Sequence, residues 1–520
     1  MVTAETVITT SSIIEPILEI REIQGHLLPG FNTNFQTFLF LEIIEVSQFK
    51  QWLAQIHPTV TTLETVLNSQ KHRHTSQAGA QMDTQRDCEI YNGKVLSSVW
   101  LNVAFSFQGL HRLTPLAEQF TDSAFKNGLH NRSELLGDPT DQAAAGNCHQ
   151  WVIGGPHNVP DLMLILGSDD QDRLTDTVNQ MAATSNRGFQ VMFQQHAAIL
   201  PPPLSGHEHF GFRDCISQPC IRGRLSNQPV DFITPRDPDR DLIWTGEFIF
   251  GYPRQNPTDK RLPGTIADAG TAWAKNGSFL VFRRLRQNVA AFQAFLQSMA
   301  QDLSKKHPHF AGMTTDQLAA KLIGRWFNGT PILHAPNLDA LTSSEDSCLS
   351  NNFAYERSTL SQPHHSTEIG DRLGLICPHA AHIRKAFPRD TITIIGDEAE
   401  NQTHRLLRRG IPFGDSVTAS QERGLLFLAY QTSIERQFEF ITTNWINNPN
   451  FPESGAGHDP IVGQNTNLQE NRVRTWALPV QQQDGSVTKI SIELPMDWVI
   501  PTGGGYFFIP SISALRDLAS

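Results

Sequence analysis

The chain has 520 residues, 39% of them hydrophobic and 18% charged, which is the balance of a soluble globular protein. Its formal net charge of -11 argues against nucleic acid or an anionic membrane as partner, because both require a basic face. No run of about 18 apolar residues exists, so no membrane span is expected. The length exceeds one usual core and predicts two domains. Met1 to Glu22 holds no basic residue before Arg21 and no twin-arginine pair. It lacks the basic start and apolar centre of a secretory leader, so a cytoplasmic location is expected. The six cysteines, at 88, 148, 215, 220, 348 and 377, show no Cys-x-x-Cys spacing. That disfavours a structural zinc site, and no disulfide framework is expected in a reducing compartment.

The first half alternates between strand and helix. Phe38 to Ile43 reads as a strand, and Val46 to Ile56 as a helix with Phe49, Trp52 and Ile56 on one face. Residues 57 to 95 are rich in Gln, Thr and His and read as a long polar connection. Leu101, Val103, Phe105 and Phe107 then alternate as a half-buried strand, and Leu162 to Leu166 forms a fully buried one. Asp170 to Asn186 reads as a helix, and Phe189 to Leu200 as a strand stopped by Pro201-Pro202-Pro203. Strand, helix, strand, strand, helix, strand is the ferredoxin-like order.

The second half repeats that order with looser connections. Phe279 to Phe282 is a strand, followed by a helix over Gln287 to Lys305 with an apolar stripe of Phe292, Phe295, Leu296, Met299 and Leu303. Residues 324 to 403 form a long irregular region. Gly424 to Tyr430 is a buried strand; Ile434, Phe438, Ile441 and Trp445 recur at helical spacing; Asp484-Gly485 marks a hairpin; Tyr506 to Ile509 closes the sheet. The boundary between halves falls between Gly223 and Pro238, which gives an N-terminal ferredoxin-like domain over 1–228 and a C-terminal one over 229–520.

Three stretches carry chemistry. Cys377-Pro378-His379-Ala380-Ala381-His382-Ile383-Arg384-Lys385 sets an imidazole two residues before a guanidinium. An imidazole nitrogen suits haem iron as an axial ligand, and an arginine suits a propionate carboxylate. Upstream stands Glu208-His209-Phe210-Gly211-Phe212-Arg213-Asp214-Cys215-Ile216-Ser217-Gln218-Pro219; downstream stands His404-Arg405-Leu406-Leu407-Arg408-Arg409-Gly410-Ile411-Pro412-Phe413-Gly414. Together the three resemble the dye-decolourising peroxidase family, and the resemblance runs from Ile23-Gln24-Gly25 to Gly505-Tyr506-Phe507-Phe508. Within the family the chain looks most like the longer bacterial and cyanobacterial members.

The resemblance implies an α+β fold in which two ferredoxin-like domains set antiparallel sheets facing each other, the dimeric α+β barrel type. It implies haem b as cofactor, hydrogen peroxide as oxidant, and bulky aromatic donors such as anthraquinone dyes or phenolics. Nucleic acid and membrane are not expected partners. By the same carry-over His382 is the proximal ligand, Asp214 the distal proton carrier and Arg405 the distal cation. Arg384 would hold a propionate, Leu425 and Phe427 would wall the distal pocket, and Asp459 would hold the other nitrogen of His382. His379, three residues from His382, falls outside the motif and reads as structural.

Two features lie off the pattern. The family carries glycine where this chain has Cys215 and Cys220. The alternative reading is therefore a non-catalytic haem-binding or haem-handling relative with an impaired distal loop. His207-Glu208-His209 would present two imidazoles on one strand face without a third ligand, so a metal site is not read there. Gly503-Gly504-Gly505 precedes no helix and fails as a phosphate loop. The nine Trp and five Tyr are read mostly as core, and one near the surface could relay electrons from large donors.

Overall fold

The computed structural model describes residues 15–77, 90–91, 94–95, 99–183, 188–234, 242–337, 351, 353–356, 370–415, 422–466 and 472–520. β1 (Phe35–Ile43) is apolar on both faces and is buried on both. Its side chains alternate between two cores: Leu39, Leu41 and Ile43 enter one, Phe38 and Phe40 the other. α1 (Val46–Ile56) starts where Glu45 accepts hydrogen bonds from the Ser47 and Gln48 amides at 3.1 and 2.7 Å. It lays Phe49, Trp52, Leu53 and Ile56 on the first core.

The N-terminal half continues with β2 (Trp100–Phe105), β3 (Leu162–Ser168), α2 (Gln171–Ala182) and β4 (Phe189–Ala198). The strands pair antiparallel in the order β2-β3-β1-β4, the ferredoxin-like order. The C-terminal half repeats it with β5 (Ser278–Gln287), α3 (Val289–Lys306), a short α4 (His382–Ala386), β6 (Ile411–Phe413), β7 (Gly424–Gln431) and β8 (Val499–Ile509). Here the order is β6-β7-β5-β8, again antiparallel.

The two halves join edge to edge, β2 to β8, where Phe105 pairs with Phe508, and β4 lies against β6 on the other side. Their inner faces meet across the second core, with Phe38 and Phe40 at 6.2 and 5.1 Å from Phe282, ring centre to ring centre. The expected α+β barrel of facing antiparallel sheets is therefore present, with its strands in one continuous path.

Two local expectations change. The polar stretch after residue 57 holds a helix over Leu63–Gln77, anchored by buried Leu63 and Val66. Two apolar contacts suffice when tertiary packing supplies the rest, and the polar remainder hid it. The segment expected as an ordinary helix around Trp445 forms wider π-helical turns over Ile434–Glu439 and Ile441–Ile446. Gly503 to Gly505 lie inside β8, where Leu129 and Phe282 crowd the Gly504 position. The hairpin at Asp484-Gly485 joins Arg474–Gln481 to Val487–Leu494 as expected. Among the described residues no helix is long and apolar enough to cross a membrane.

Candidate active site

One wall of a cavity of about 320 Å³ is set by α4. The helix is five residues long and begins at His382. Phe387 is extended ahead of Pro388, which ends it. His382 faces the cavity with 28% of its side-chain surface open, while Arg384 and Lys385 turn into the protein body. Lys385 Nζ donates to the carbonyls of Asn448 and Gly457 at 2.6 and 2.7 Å.

Arg384 corrects the expectation of a propionate anchor. Its guanidinium is fully buried outside the cavity, donates to the carbonyls of Asp371 and Cys377 at 3.0 and 2.9 Å, and lies 4.4 Å over the Tyr355 ring. Helical geometry is the reason: two positions on from His382 point some 200° round the axis. His379 is buried elsewhere, with Nε2 on the Arg372 carbonyl at 2.9 Å and Nδ1 3.1 Å from Glu453.

Behind His382 stands Asp459, fully buried. Its Oδ2 lies 2.8 Å from His382 Nδ1, and its Oδ1 accepts from the Ile461 and Val462 amides at 2.8 and 2.9 Å. Burial alone would raise the Asp459 carboxyl, but the His382 charge and these hydrogen bonds hold it below its ordinary value. Burial alone would likewise lower His382, and the charge and hydrogen bond of Asp459 together outweigh it, so that the imidazole sits above its ordinary value. With Nδ1 engaged, Nε2 is the nitrogen left for the cavity.

The loop carrying Asp214 also lines the cavity. The Asp214 amide donates to the Gly206 carbonyl at 3.0 Å, and its Oδ1 accepts from the Cys215 amide at 2.6 Å. Cys215 takes a left-handed conformation with φ of 63°, the region glycine prefers. Arg408 Nη1 lies 3.8 Å from Asp214 Oδ1. Gln218 ties the two motifs together: its Oε1 accepts from the Arg408 amide at 3.1 Å and its Nε2 donates to the Arg408 carbonyl at 2.9 Å. Arg405 also lines the cavity, but its guanidinium stacks 3.9 Å over the Phe387 ring. The cation beside Asp214 is therefore Arg408, three residues after the expected one.

Leu425 and Phe427 line the cavity as expected, and the alternation of β7 sends Leu426 and Leu428 into the barrel core. Arg325 and Arg389 line it as well. Burial lowers Arg325 to about 9, so it stays charged at neutral pH, and it donates to Ser217 Oγ at 2.8 Å. Glu208 is a cavity residue that the sequence reading weighed only as a metal ligand. Burial pushes its carboxyl up to about 7. His207 and His209 do not join it: they bond the carbonyls of Ser205 and Phe413 at 3.0 and 2.9 Å. Among the described residues no group of three or more His, Cys, Asp or Glu side chains could hold a metal ion.

An imidazole backed by a buried carboxylate shares an apolar cavity with an acid–cation pair and further arginines. That donor set fits haem: one nitrogen for iron, apolar walls for a macrocycle, guanidinium groups for carboxylates. Fold and site together define a haem oxidoreductase built on an α+β barrel.

Comparison with known proteins narrows the class. Residues 22–201 match the DyP dimeric alpha+beta barrel domain, and residues 355–453 match the Dyp-type peroxidase C-terminal domain. Peroxidase 2 of Mycetinis scorodonius is 30% identical over 97% of this chain and 88% of its own length. The dye-decolorizing peroxidase AauDyP1 of Auricularia auricula-judae is 31% identical over 96% of this chain and 86% of its own. The structure of an ancestral D-type dye decolorizing peroxidase superposes with a TM-score of 0.74 at 29% identity, covering 97% of this chain and all of the other. The chain belongs to the dye-decolourising peroxidase family, whose members are haem enzymes. The expected bacterial or cyanobacterial affinity is corrected, since these relatives are fungal.

Proposed function

We propose that this chain is a haem peroxidase that reduces hydrogen peroxide and oxidises bulky aromatic donors, anthraquinone dyes and phenolics among them, in one-electron steps. The observation that carries the reading is one cavity lined both by His382, held by Asp459, and by the Asp214–Arg408 pair.

Haem b, when bound there, would supply a redox-active iron for the reduction of peroxide. His382 Nε2 would be the nitrogen for that iron, with Asp459 orienting the ring and making it electron-rich. Arg325, Arg389 and Arg405, which line the cavity, would hold the propionates. Asp214 takes a proton from the inner peroxide oxygen and returns it to the outer one, which leaves as water. Arg408, fixed by Gln218, stabilises negative charge developing on the departing oxygen. Leu425 and Phe427 keep the cavity apolar, which strengthens that electrostatic term. Cys215 takes up the left-handed turn that a glycine would, and Asp214 lines the cavity, which favours this reading over an impaired loop.

The test is spectroscopic. Purified protein loaded with haem should show a Soret band that shifts on one equivalent of hydrogen peroxide. His382→Ala should fold and lose stoichiometric haem, while His379→Ala keeps it. Full haem retention with an unchanged spectrum in His382→Ala would overturn the reading.

A further inference from the structure

Glu208 lies on the same loop as Asp214, lines the same cavity, and has no part in the scheme above. Its carboxylate is the hub of the turn that presents Asp214. Oε2 accepts from the Phe210 amide and Oε1 from the Phe212 amide, both at 2.9 Å. Backbone bonds Glu208 N–H to Phe212 C=O and Gly211 N–H to Glu208 C=O close the same turn at 3.0 and 2.9 Å. The remaining partner is Gln287 at the end of β5, whose Nε2 donates to Oε2.

Gln287 itself is 7% exposed, lines the cavity, and leaves its own Oε1 buried without a hydrogen-bond partner. A buried orphan acceptor beside a carboxyl group is costly unless a second arrangement uses it. Turning the amide exchanges Nε2 and Oε1, so Gln287 donates to an ionised Glu208 and accepts from a protonated one. The hydrogen bond between the two side chains can thus be kept in either charge state, unlike that of an ordinary turn-capping carboxylate.

The chemistry needs such a group. Reduction of one peroxide consumes two protons and two electrons: H2O2 + 2H⁺ + 2e⁻ gives two H2O. The first water leaves with the two protons of the peroxide itself, which Asp214 only relocates. The second water draws two protons into the cavity while aromatic donors supply the two electrons, one from each of two donor molecules. Asp214 alone offers no store for them.

We propose, resting on the peroxidase reading, that Glu208 with Gln287 is the proton-holding group of the cavity, keeping a proton beside Asp214 for the second water. Burial supports it, raising the Glu208 carboxyl to about 7, and the neighbouring Asp214 charge acts in the same direction. The charged groups sharing the cavity with it are Asp214 and Arg213 of its own loop, and Arg283 of β5, which is paired with Asp138 at 2.8 Å. The same cavity is also lined by Arg325, Arg389, Arg405, Arg408, His382 and His404 from other segments. Glu208 is neutral in acid and becomes a second negative charge beside Asp214 as pH rises through neutrality, when the stored proton is lost.

The experiment uses haem-loaded protein and two readouts. Infrared difference spectra between acid and alkaline pH, with and without ¹³C-labelled glutamate, report a protonated carboxyl directly and require no variant. The expected result is a glutamate carboxylic band that titrates near neutral pH and vanishes in Glu208→Gln. In steady-state turnover with an aromatic donor, wild type should lose rate about tenfold per pH unit above that titration. Glu208→Gln should be slower in acid and should lack this limb. A wild type without a glutamate band, or a Glu208→Gln variant that keeps both band and limb, overturns the inference. Failure of wild type to bind haem or react with peroxide overturns the peroxidase reading instead, whatever the infrared spectrum shows.

Discussion

His382 Nδ1 and Asp459 Oδ2 lie 2.8 Å apart although 77 residues separate them in the chain. The carboxylate can hold the ring because its second oxygen is already fixed by two backbone amides. That makes Asp459 a rigid acceptor, and the imidazole inherits its orientation from it.

Removing the charge of Asp459 therefore has a defined consequence. Asp459→Asn keeps a hydrogen-bond acceptor but loses the anion that enriches the ring. Haem affinity should fall by about 10–100-fold, and the midpoint potential of the iron should rise as the ligand donates less. Haem-transfer titration and spectroelectrochemistry measure the two; an unchanged potential would mean that Asp459 only orients the ring.

The distal cations separate by geometry. Arg408 is 3.8 Å from Asp214, whereas Arg405 stacks on Phe387. Arg408→Leu should slow the stopped-flow reaction with peroxide by about 10²–10³-fold, as loss of an oriented charge at the reacting atoms does. Arg405→Leu should lose much less in this step and should weaken haem retention instead. The reverse ranking would return the distal role to Arg405.

Cys215 sits at φ 63°. A side chain there costs about 1–2 kcal/mol that glycine does not. Cys215→Gly should recover about 1 kcal/mol of that in thermal unfolding, after glycine's own entropy is charged against it. Cys215 also lines the cavity proposed to take peroxide. Mass spectrometry of wild type after repeated peroxide additions should find oxygen added to this peptide. An unmodified peptide would show that the sulfur is held away from the oxidant.

Glu208 makes stability depend on pH with an unusual sign. Its folded value, about 7, lies above the unfolded reference of 4.5, so the folded state binds the proton more tightly. Stability from this group is full below pH 4.5 and is lost as pH rises to about 7, staying low above it. The full cost is on the order of 3 kcal/mol. Glu208→Gln removes the titration, so its unfolding midpoint should gain on wild type between about pH 4.5 and about pH 7 and hold that gain above it. Parallel curves of midpoint against pH for the two proteins would contradict this.

Much of the architecture was legible in one dimension because burial leaves a period. The apolar runs from Phe38 to Ile43 and from Gly424 to Tyr430 read as strands, and the stripe from Phe292 to Leu303 named α3. The order of those elements pointed to two ferredoxin-like halves. His382, Asp214 and the apolar walls Leu425 and Phe427 were legible because each sits in a short run that the family shares.

What tertiary structure alone decided was direction and partnership. Arg384 and His382 stand two residues apart, yet a helix turns their side chains to opposite sides, one into the core and one into the cavity. Arg405 and Arg408 were equivalent as letters until Phe387 took the first and Gln218 fixed the second beside Asp214. Glu208 looked like part of a His-Glu-His motif until the turn buried it against Gln287, a residue from the other half of the chain. A local pattern records which residues are buried, since burial is set by period. Which charge meets which is set by packing between segments distant in sequence, and no local pattern records that.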